Sequence, residues 1–93
     1  MSESLFSDER VCFICKTPFN IHRHHIYAGA NRNASEKYGA WVYLCANHHN
    51  MSNYGVHNDP KLDKMFKELA QAKWEQKYGS REDFIKAFRK SYL

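Results

Sequence analysis

The chain has 93 residues, a formal net charge of +4 and three cysteines. A chain of this length forms one small domain, which often needs a metal or a disulfide to supplement its core. The odd number of cysteines argues against a secreted disulfide framework, and no apolar run is suited to a signal peptide or a membrane span. We therefore expect a cytoplasmic protein without membrane contacts, whose reduced thiols can bind metal.

The positive charge is concentrated at one end of the chain. Residues 1–59 contain five Lys/Arg and five Asp/Glu, whereas residues 60–93 contain nine and five. A basic helical segment joined to a neutral module favours an anionic partner, and nucleic acid is favoured over an acidic membrane. The alternative is a solvated, lysine-rich surface without a specific partner.

The pattern predicts a single domain in three parts. Residues 1–10 are polar and aperiodic, which is typical of a loose leader, although Leu5 and Phe6 could pack against the core. Residues 11–59 hold every cysteine and histidine and form the predicted metal-binding core. Residues 60–93 form the basic helical extension.

The first motif in the core is a C-x-x-C turn. Cys12 and Cys15 have the spacing at which two thiolates reach one metal ion. The alternatives are a redox dithiol and two buried thiols, but Pro18 and the polar residues after it do not offer the helix that a thioredoxin-like motif requires. Cys45 and His48 supply a second half-site, because residues i and i+3 in the first turn of a helix share a face. These four residues are the predicted structural zinc site.

A hairpin is predicted between the two half-sites. Residues 19–27 and 40–44 favour strands, residues 28–39 a connecting loop with at most one turn of helix, and a helix is expected to begin at Cys45. The result is a strand, strand, helix (ββα) unit. Alternation in the first strand places Ile21, Arg23, His25 and Tyr27 on one face and His22, His24 and Ile26 on the other.

Two amphipathic helices are predicted in the extension. The first covers residues 61–77, with Pro60 suited to its first turn and Gly79 to its end. Ser80 and Asp83 match a capping box that begins the second helix. The expected buried positions are Leu62, Met65, Phe66, Leu69 and Ala72 on the first helix, and Phe84, Ile85, Phe88 and Tyr92 on the second.

Six histidines and three cysteines are too many ligands for one tetrahedral ion. Neighbouring residues point to opposite faces of a strand and lie about 100° apart on a helix, so a His-His pair cannot easily place both rings on one metal. We therefore predict that His24 and His49 hold a second, open metal and that His25 stays free to move a proton. The third ligand is His57 or Asn53, with His57 preferred because imidazole binds transition metals better than an amide oxygen. His22 is expected to be exposed or to contact a ligand.

These residues resemble the HNH endonucleases. The matching segments are residues 24–26 and 44–49, with Cys12 and Cys15 completing the zinc site of many members. Residues 24–32, 35–39 and 55–57 also resemble a group of short phage and prophage HNH proteins. The resemblance implies a small α+β fold, a zinc-stapled ββα-metal unit of the treble-clef or His-Me finger type, followed by the two C-terminal helices.

The resemblance also implies a function, metal-dependent hydrolysis of DNA phosphodiester bonds to products with a 5′ phosphate. His25 would be the general base, Arg32 or Arg23 would contact phosphate, and the second metal would be Mg, Mn, Ni or Zn. The chain departs from the family at Ala40, where an asparagine is usual, and Asn31 and Asn33 are the candidate substitutes.

Two other functions fit the same residues. One is a non-catalytic zinc module that binds DNA or protein through the basic helices. The other is a nuclease fold that holds both metals without turnover, as the missing asparagine at Ala40 suggests. A dimer formed through the C-terminal helices is compatible with each of them.

Overall fold

The structure, a computed structural model, describes residues 3–51 and 55–93. It contains a two-stranded antiparallel sheet and three α-helices, which confirms the small α+β class. Strand β1 is Ile21–His25 and β2 is Trp41–Cys45, and helices α1, α2 and α3 are Arg32–Tyr38, Pro60–Lys77 and Arg81–Phe88. Short helical turns at Gly29–Asn31, Asn47–Met51 and Val56–Asn58 connect them.

The predicted hairpin is confirmed, with a register that pairs Ile21 with Cys45 and His25 with Trp41. The connection between its strands differs from the prediction, because it contains the seven-residue helix α1. Buried Ser35 holds this helix against the end of β1: its hydroxyl donates to the carbonyl of Tyr27 at 2.7 Å and accepts from the Tyr27 N–H at 3.2 Å. This contact joins residues eight positions apart, and the sequence pattern of small residues did not show it.

Helix α1 ends at Gly39, which has a left-handed backbone with φ of +74°. Residues 3–5 pass directly over Gly39. The N–H of Leu5 donates to the Gly39 carbonyl at 2.8 Å, and a Cβ at position 39 would collide with the carbonyl oxygen of Glu3. Phe6 packs edge-on against Phe13 and Phe66. The predicted contact of Leu5 and Phe6 with the core is therefore confirmed, and residues 3–6 are bound to the core rather than loose.

Gly39→Ala is expected to destabilise the protein by more than the roughly 1–2 kcal/mol that a left-handed conformation alone costs. The added methyl group would also displace the backbone of Glu3. Gly29→Ala is a matched control, because Gly29 has φ of +62° but nothing lies within 4 Å of a Cβ built there. Urea unfolding followed by tryptophan fluorescence would measure both variants, and equal losses would contradict the expected contact.

The aromatic core joins the C-terminal helices to the sheet. Tyr27, which follows β1, packs its ring against Phe84, Phe88 and Tyr92 with ring centroids 4.7–5.5 Å apart. Its hydroxyl donates to the carbonyl of Lys67 on α2 at 2.6 Å. Burial raises the pKa of Tyr27, so this hydroxyl stays protonated and remains a donor. These contacts pack both C-terminal helices against the end of the hairpin, and the predicted burial of Phe84 and Phe88 is confirmed.

The buried face of α2 differs from the predicted stripe. Met65 and Leu69 are 42% and 40% exposed. The core side of the helix is rotated away from them and includes a polar residue, Gln71, which is fully buried. Its side chain donates to Glu75 and Ser91 and accepts from the Tyr92 N–H at 2.6 Å. A buried amide that binds the chain terminus could not be read from hydrophobic periodicity. The buried residues of α2 are Phe66, Ala70, Gln71 and Trp74.

The helix ends agree with the sequence more closely. Pro60 is the first residue of α2, and the Asp59 carboxylate accepts from the N–H groups of Lys61 and Leu62. The Ser80 and Asp83 capping box is present at the start of α3. Helix α3 ends at Phe88, and the next residue, Arg89, has a left-handed backbone conformation.

Two of the predictions for α3, the second of the C-terminal helices, are wrong. Tyr92 packs in the core from outside the helix, and Ile85 is 39% exposed. None of the helices in the described part of the chain is long and apolar enough to cross a membrane.

Candidate functional site

The four residues of the predicted zinc site lie together. Cys12 and Cys15 come from the turn before β1, Cys45 ends β2, and His48 lies in the turn Asn47–Met51. Tetrahedral zinc places neighbouring sulfurs about 3.8 Å apart, and a sulfur and an imidazole nitrogen about 3.6 Å apart. The distances are 3.8 Å for Cys15 Sγ to Cys45 Sγ, and 3.6 Å and 3.2 Å for His48 Nδ1 to Cys12 and Cys45. The cluster could therefore hold a metal such as zinc.

The thiols of this cluster are free, because a disulfide requires sulfurs about 2.05 Å apart. Burial opposes ionisation of Cys12, but N–H groups of Cys15, Cys45 and Ile14 outweigh it and lower the pKa of Cys12 to about 6. Burial, together with the neighbouring sulfurs, raises the pKa of Cys45. Three sulfurs this close repel one another as thiolates, and a divalent cation would relieve that repulsion.

A second cluster contains three histidines. His24 on β1, His49 and His57 each offer a ring nitrogen within 4.8 Å of the others. Their ring centroids lie 4.5–5.3 Å apart, and the Nε2 atoms of His49 and His57 are 2.9 Å apart. His24 is 5% exposed, and among the described residues its Nε2 has no hydrogen-bond partner. A buried ring nitrogen without a partner, on an imidazole that lies beside two further imidazoles, is the arrangement expected of a metal ligand.

The surroundings of His24 and His49 keep these two rings uncharged at neutral pH. Burial, and then the neighbouring His49 and His57, lower the pKa of His24 to about 4. Burial, and then His57 and His22, lower the pKa of His49 to about 4. Because a neutral imidazole has a lone pair for a metal and a protonated one does not, both rings are available as ligands at neutral pH.

The backbone between the clusters explains how His57 reaches its neighbours. The predicted helix from Cys45 is instead a wide π-helical turn, Asn47–Met51, after β2 has extended to Cys45. The chain then returns so closely that a Cβ at Gly55 would lie 2.9 Å from the carbonyl oxygens of Asn47 and His49. This return places His57 beside His49. The alternative ligand, Asn53, lies outside the described residues.

His22 and His25 lie on opposite sides of β1, as the predicted alternation requires. The Nδ1 of His22 is 3.0 Å from the Nδ1 of His49. His22 therefore contacts the nitrogen of His49 that does not face His57, and a partner in this position orients a metal-binding ring. His25 is outside both metal-ligand clusters, with its side chain 15% exposed.

His25 contacts a residue that the sequence analysis missed. Its Nε2 lies 2.6 Å from Oε2 of Glu36 on α1, and Oε1 of the same carboxylate lies 2.5 Å from Nη1 of Arg23. The hydrogen bond from His25, together with the charge of Arg23, lowers the pKa of Glu36. Arg23 therefore forms an ion pair with Glu36, and its guanidinium is not free to bind a phosphate without breaking this pair. Glu36 belongs to a segment that carried the family resemblance, but its approach to β1 depends on α1, which was predicted to be a loop.

Two open depressions meet at His25. One depression lies between the histidine cluster and α2, and its lining includes His24, His57, Asp63 and Lys67. The other is lined by Arg23, Arg32, Asn33 and Glu36. Arg32 is exposed and remains the candidate phosphate contact. The sequence did not predict that Asp63 and Lys67 line the first depression, because their proximity to His24 and His57 depends on how α2 packs.

Ala40 is fully buried immediately before β2, where its carbonyl accepts from the Ile26 N–H at 3.0 Å. Residue 40 therefore contributes a backbone hydrogen bond, and it has no polar side chain that could act as the asparagine expected at this position would. One candidate substitute, Asn31, donates its side-chain amide to the carbonyl of Phe88 at 2.9 Å and so fastens the loop to α3. The other, Asn33, lines the depression beside His25.

Comparisons with models of protein families, with curated proteins and with solved structures found no match for this chain.

Proposed function

We propose that the protein is a metal-dependent DNA endonuclease of the HNH type, with a ββα-metal unit built from the hairpin and the turn after it. The main support is the side-by-side placement of a three-histidine cluster and an unligated histidine. His24 and His25 are neighbours on one strand, yet His24 belongs to the cluster and His25 does not. A structural metal site would need only the ligand cluster. Hydrolysis needs both a metal and a base, and an unligated histidine beside the cluster could be that base.

The cysteine cluster has the composition of a closed structural site. Its four protein ligands complete the tetrahedral coordination that zinc prefers in such sites. The histidine cluster has three ligands, which leaves positions for water and substrate. A divalent ion bound by His24, His49 and His57 would supply positive charge for the phosphate and for the departing 3′ oxygen.

The residues of the chain would divide the reaction as follows. His25 takes a proton from a water molecule, whose oxygen forms a bond to phosphorus. The bond from phosphorus to the 3′ oxygen breaks, and that oxygen takes a proton from solvent, which gives a 5′ phosphate and a 3′ hydroxyl. Arg32, at the rim of the depression beside His25, contacts a non-bridging phosphate oxygen. The basic extension, with nine Lys/Arg against five Asp/Glu, attracts the DNA backbone.

Cleavage of supercoiled plasmid tests this function directly. Purified protein is incubated with Mg²⁺, Mn²⁺ or Ni²⁺, and nicked and linear forms are measured over time. We expect cleavage with at least one metal, and ends that T4 ligase can reseal because they carry a 5′ phosphate. No cleavage with any metal, from protein that holds both ions, would contradict the proposal.

A non-catalytic zinc module is the second candidate, and one feature favours it. Phe19 and Ile14, in the segment that contains the C-x-x-C turn, are 73% and 40% exposed. Exposed apolar side chains of this kind can stack on a nucleobase or pack against a protein. DNA binding without cleavage, weakened by Phe19→Ala, would support this candidate.

Metal content separates the two clusters. We expect about two divalent ions per native chain, since each cluster has three or four ligands. His57→Ala should reduce the content to about one and keep the fold, because His57 is exposed and its packing contributes little. His48→Ala is the matched comparison, since it should remove the other ion and destabilise the protein. Mass spectrometry under native conditions would count the ions, and a content of about one in the native chain would contradict a second site.

A further inference from the structure

We propose that Glu36 is a positioning residue that holds His25 in the tautomer required of a general base. This inference rests on the proposed nuclease function. The relevant observation is a continuous set of contacts in which one carboxylate joins His25 Nε2 at 2.6 Å and Arg23 Nη1 at 2.5 Å.

The hydrogen bond determines the position of the imidazole proton. An ionised carboxylate can only accept, so the Nε2 of His25 must carry the proton that it shares with Glu36. In a neutral imidazole the other nitrogen, Nδ1, then has the lone pair. Glu36 thus leaves His25 with Nδ1 as the atom that can take a proton from water.

Glu36 is fixed in place by the fold on both sides. Ser35, the preceding residue, is fully buried and hydrogen-bonded to the backbone of Tyr27. The carboxylate is held at its other oxygen by Arg23, whose guanidinium lies 3.9 Å from the centre of the Trp41 ring. Arg23 and His25 are two residues apart on β1, so they lie side by side on one face of the sheet. The register places Trp41 opposite His25.

The alternative is an ordinary surface ion pair between Arg23 and Glu36. Such pairs are common and contribute little to stability. The arrangement here differs because both carboxylate oxygens are engaged and the second contact is to the predicted base. Glu36 side-chain exposure of 37% leaves it accessible, whereas His25 at 15% is largely covered.

Nitrogen-15 NMR of the histidine rings tests the tautomer without depending on activity. In native protein we expect His25 to show a protonated Nε2 and an unprotonated Nδ1. Glu36→Ala should give a mixture of tautomers, and Glu36→Gln, which keeps an acceptor oxygen, should retain the native form. A native tautomer in Glu36→Ala would overturn the proposal, even if the protein had no nuclease activity.

Kinetics supply the second measurement. We expect Glu36→Ala to lower kcat about 10- to 100-fold, which is less than the roughly 10²–10⁴-fold that a general base contributes, with KM nearly unchanged. Glu36→Gln should recover most of this loss. Glu82→Ala, which removes an exposed carboxylate from α3, is the control and should behave as native. An unchanged kcat, or a change confined to KM, in folded Glu36→Ala would overturn the positioning role.

Discussion

Cys12→Ser is expected to leave the protein largely unfolded at ordinary temperatures. Cys12 is fully buried, and its sulfur lies 3.6 Å from His48 Nδ1 in the cysteine cluster. Zinc bound to comparable peptides contributes about 10–16 kcal/mol, whereas the whole stability of a small domain is about 5–15 kcal/mol. On the proposed zinc site, Cys12→Ser removes one of four ligands and should therefore cost a large part of the free energy of unfolding.

A thermal melt followed by circular dichroism would measure the effect of Cys12→Ser. Native protein treated with a strong chelator should melt like the variant, because both lack the same ion. His57→Ala, in the other cluster, is the control and should melt close to native protein. An unchanged transition in Cys12→Ser would show that the cysteine cluster is not a structural metal site.

His25→Ala is expected to lower the rate of plasmid cleavage by about 10²–10⁴-fold, the usual contribution of a general base. The fold should survive, because the side chain of His25 lies outside the aromatic core and its hydrogen bond is to Glu36. Metal content should stay at the native value, since His25 is outside both clusters.

Initial rates of nicking, measured beside metal content and a thermal melt, separate the explanations. A loss of cleavage with native metal content and native melting would agree with the role of His25 as base. Equal cleavage by the variant and native protein would remove that role. Loss of an ion in His25→Ala would instead mean that the histidine acts through the metal-binding cluster.

Local patterns predicted much of this structure. The hairpin, the two C-terminal helices, the Ser80 capping box and Pro60 in the first turn of α2 all depend on residues close together in the chain. The spacing of Cys12, Cys15 and Cys45 likewise predicted that these residues meet, because metal ligands follow regular spacings on turns and helix ends.

The remaining features depend on contacts between distant residues. Ser35 of helix α1 is buried and hydrogen-bonded to the backbone of Tyr27, and the prediction of this segment as a loop concealed the position of Glu36. The rotation of α2 that exposes Met65 depends on Gln71, whose polarity argues against burial until its hydrogen bonds are seen. Periodicity measures how apolar a face is, and it does not measure whether a polar group will find partners there.

His24 and His25 are adjacent on β1, so an inserted residue would change which face of the strand each side chain occupies. Because side chains alternate along a strand, a slip of one residue would turn the ring of His24 toward α1 and the ring of His25 toward His49 and His57. A slip of two residues would restore the alternation but would bring different side chains to each place. A single inserted residue within Ile21–His25 should therefore be far more harmful than one in the exposed stretch after Tyr27.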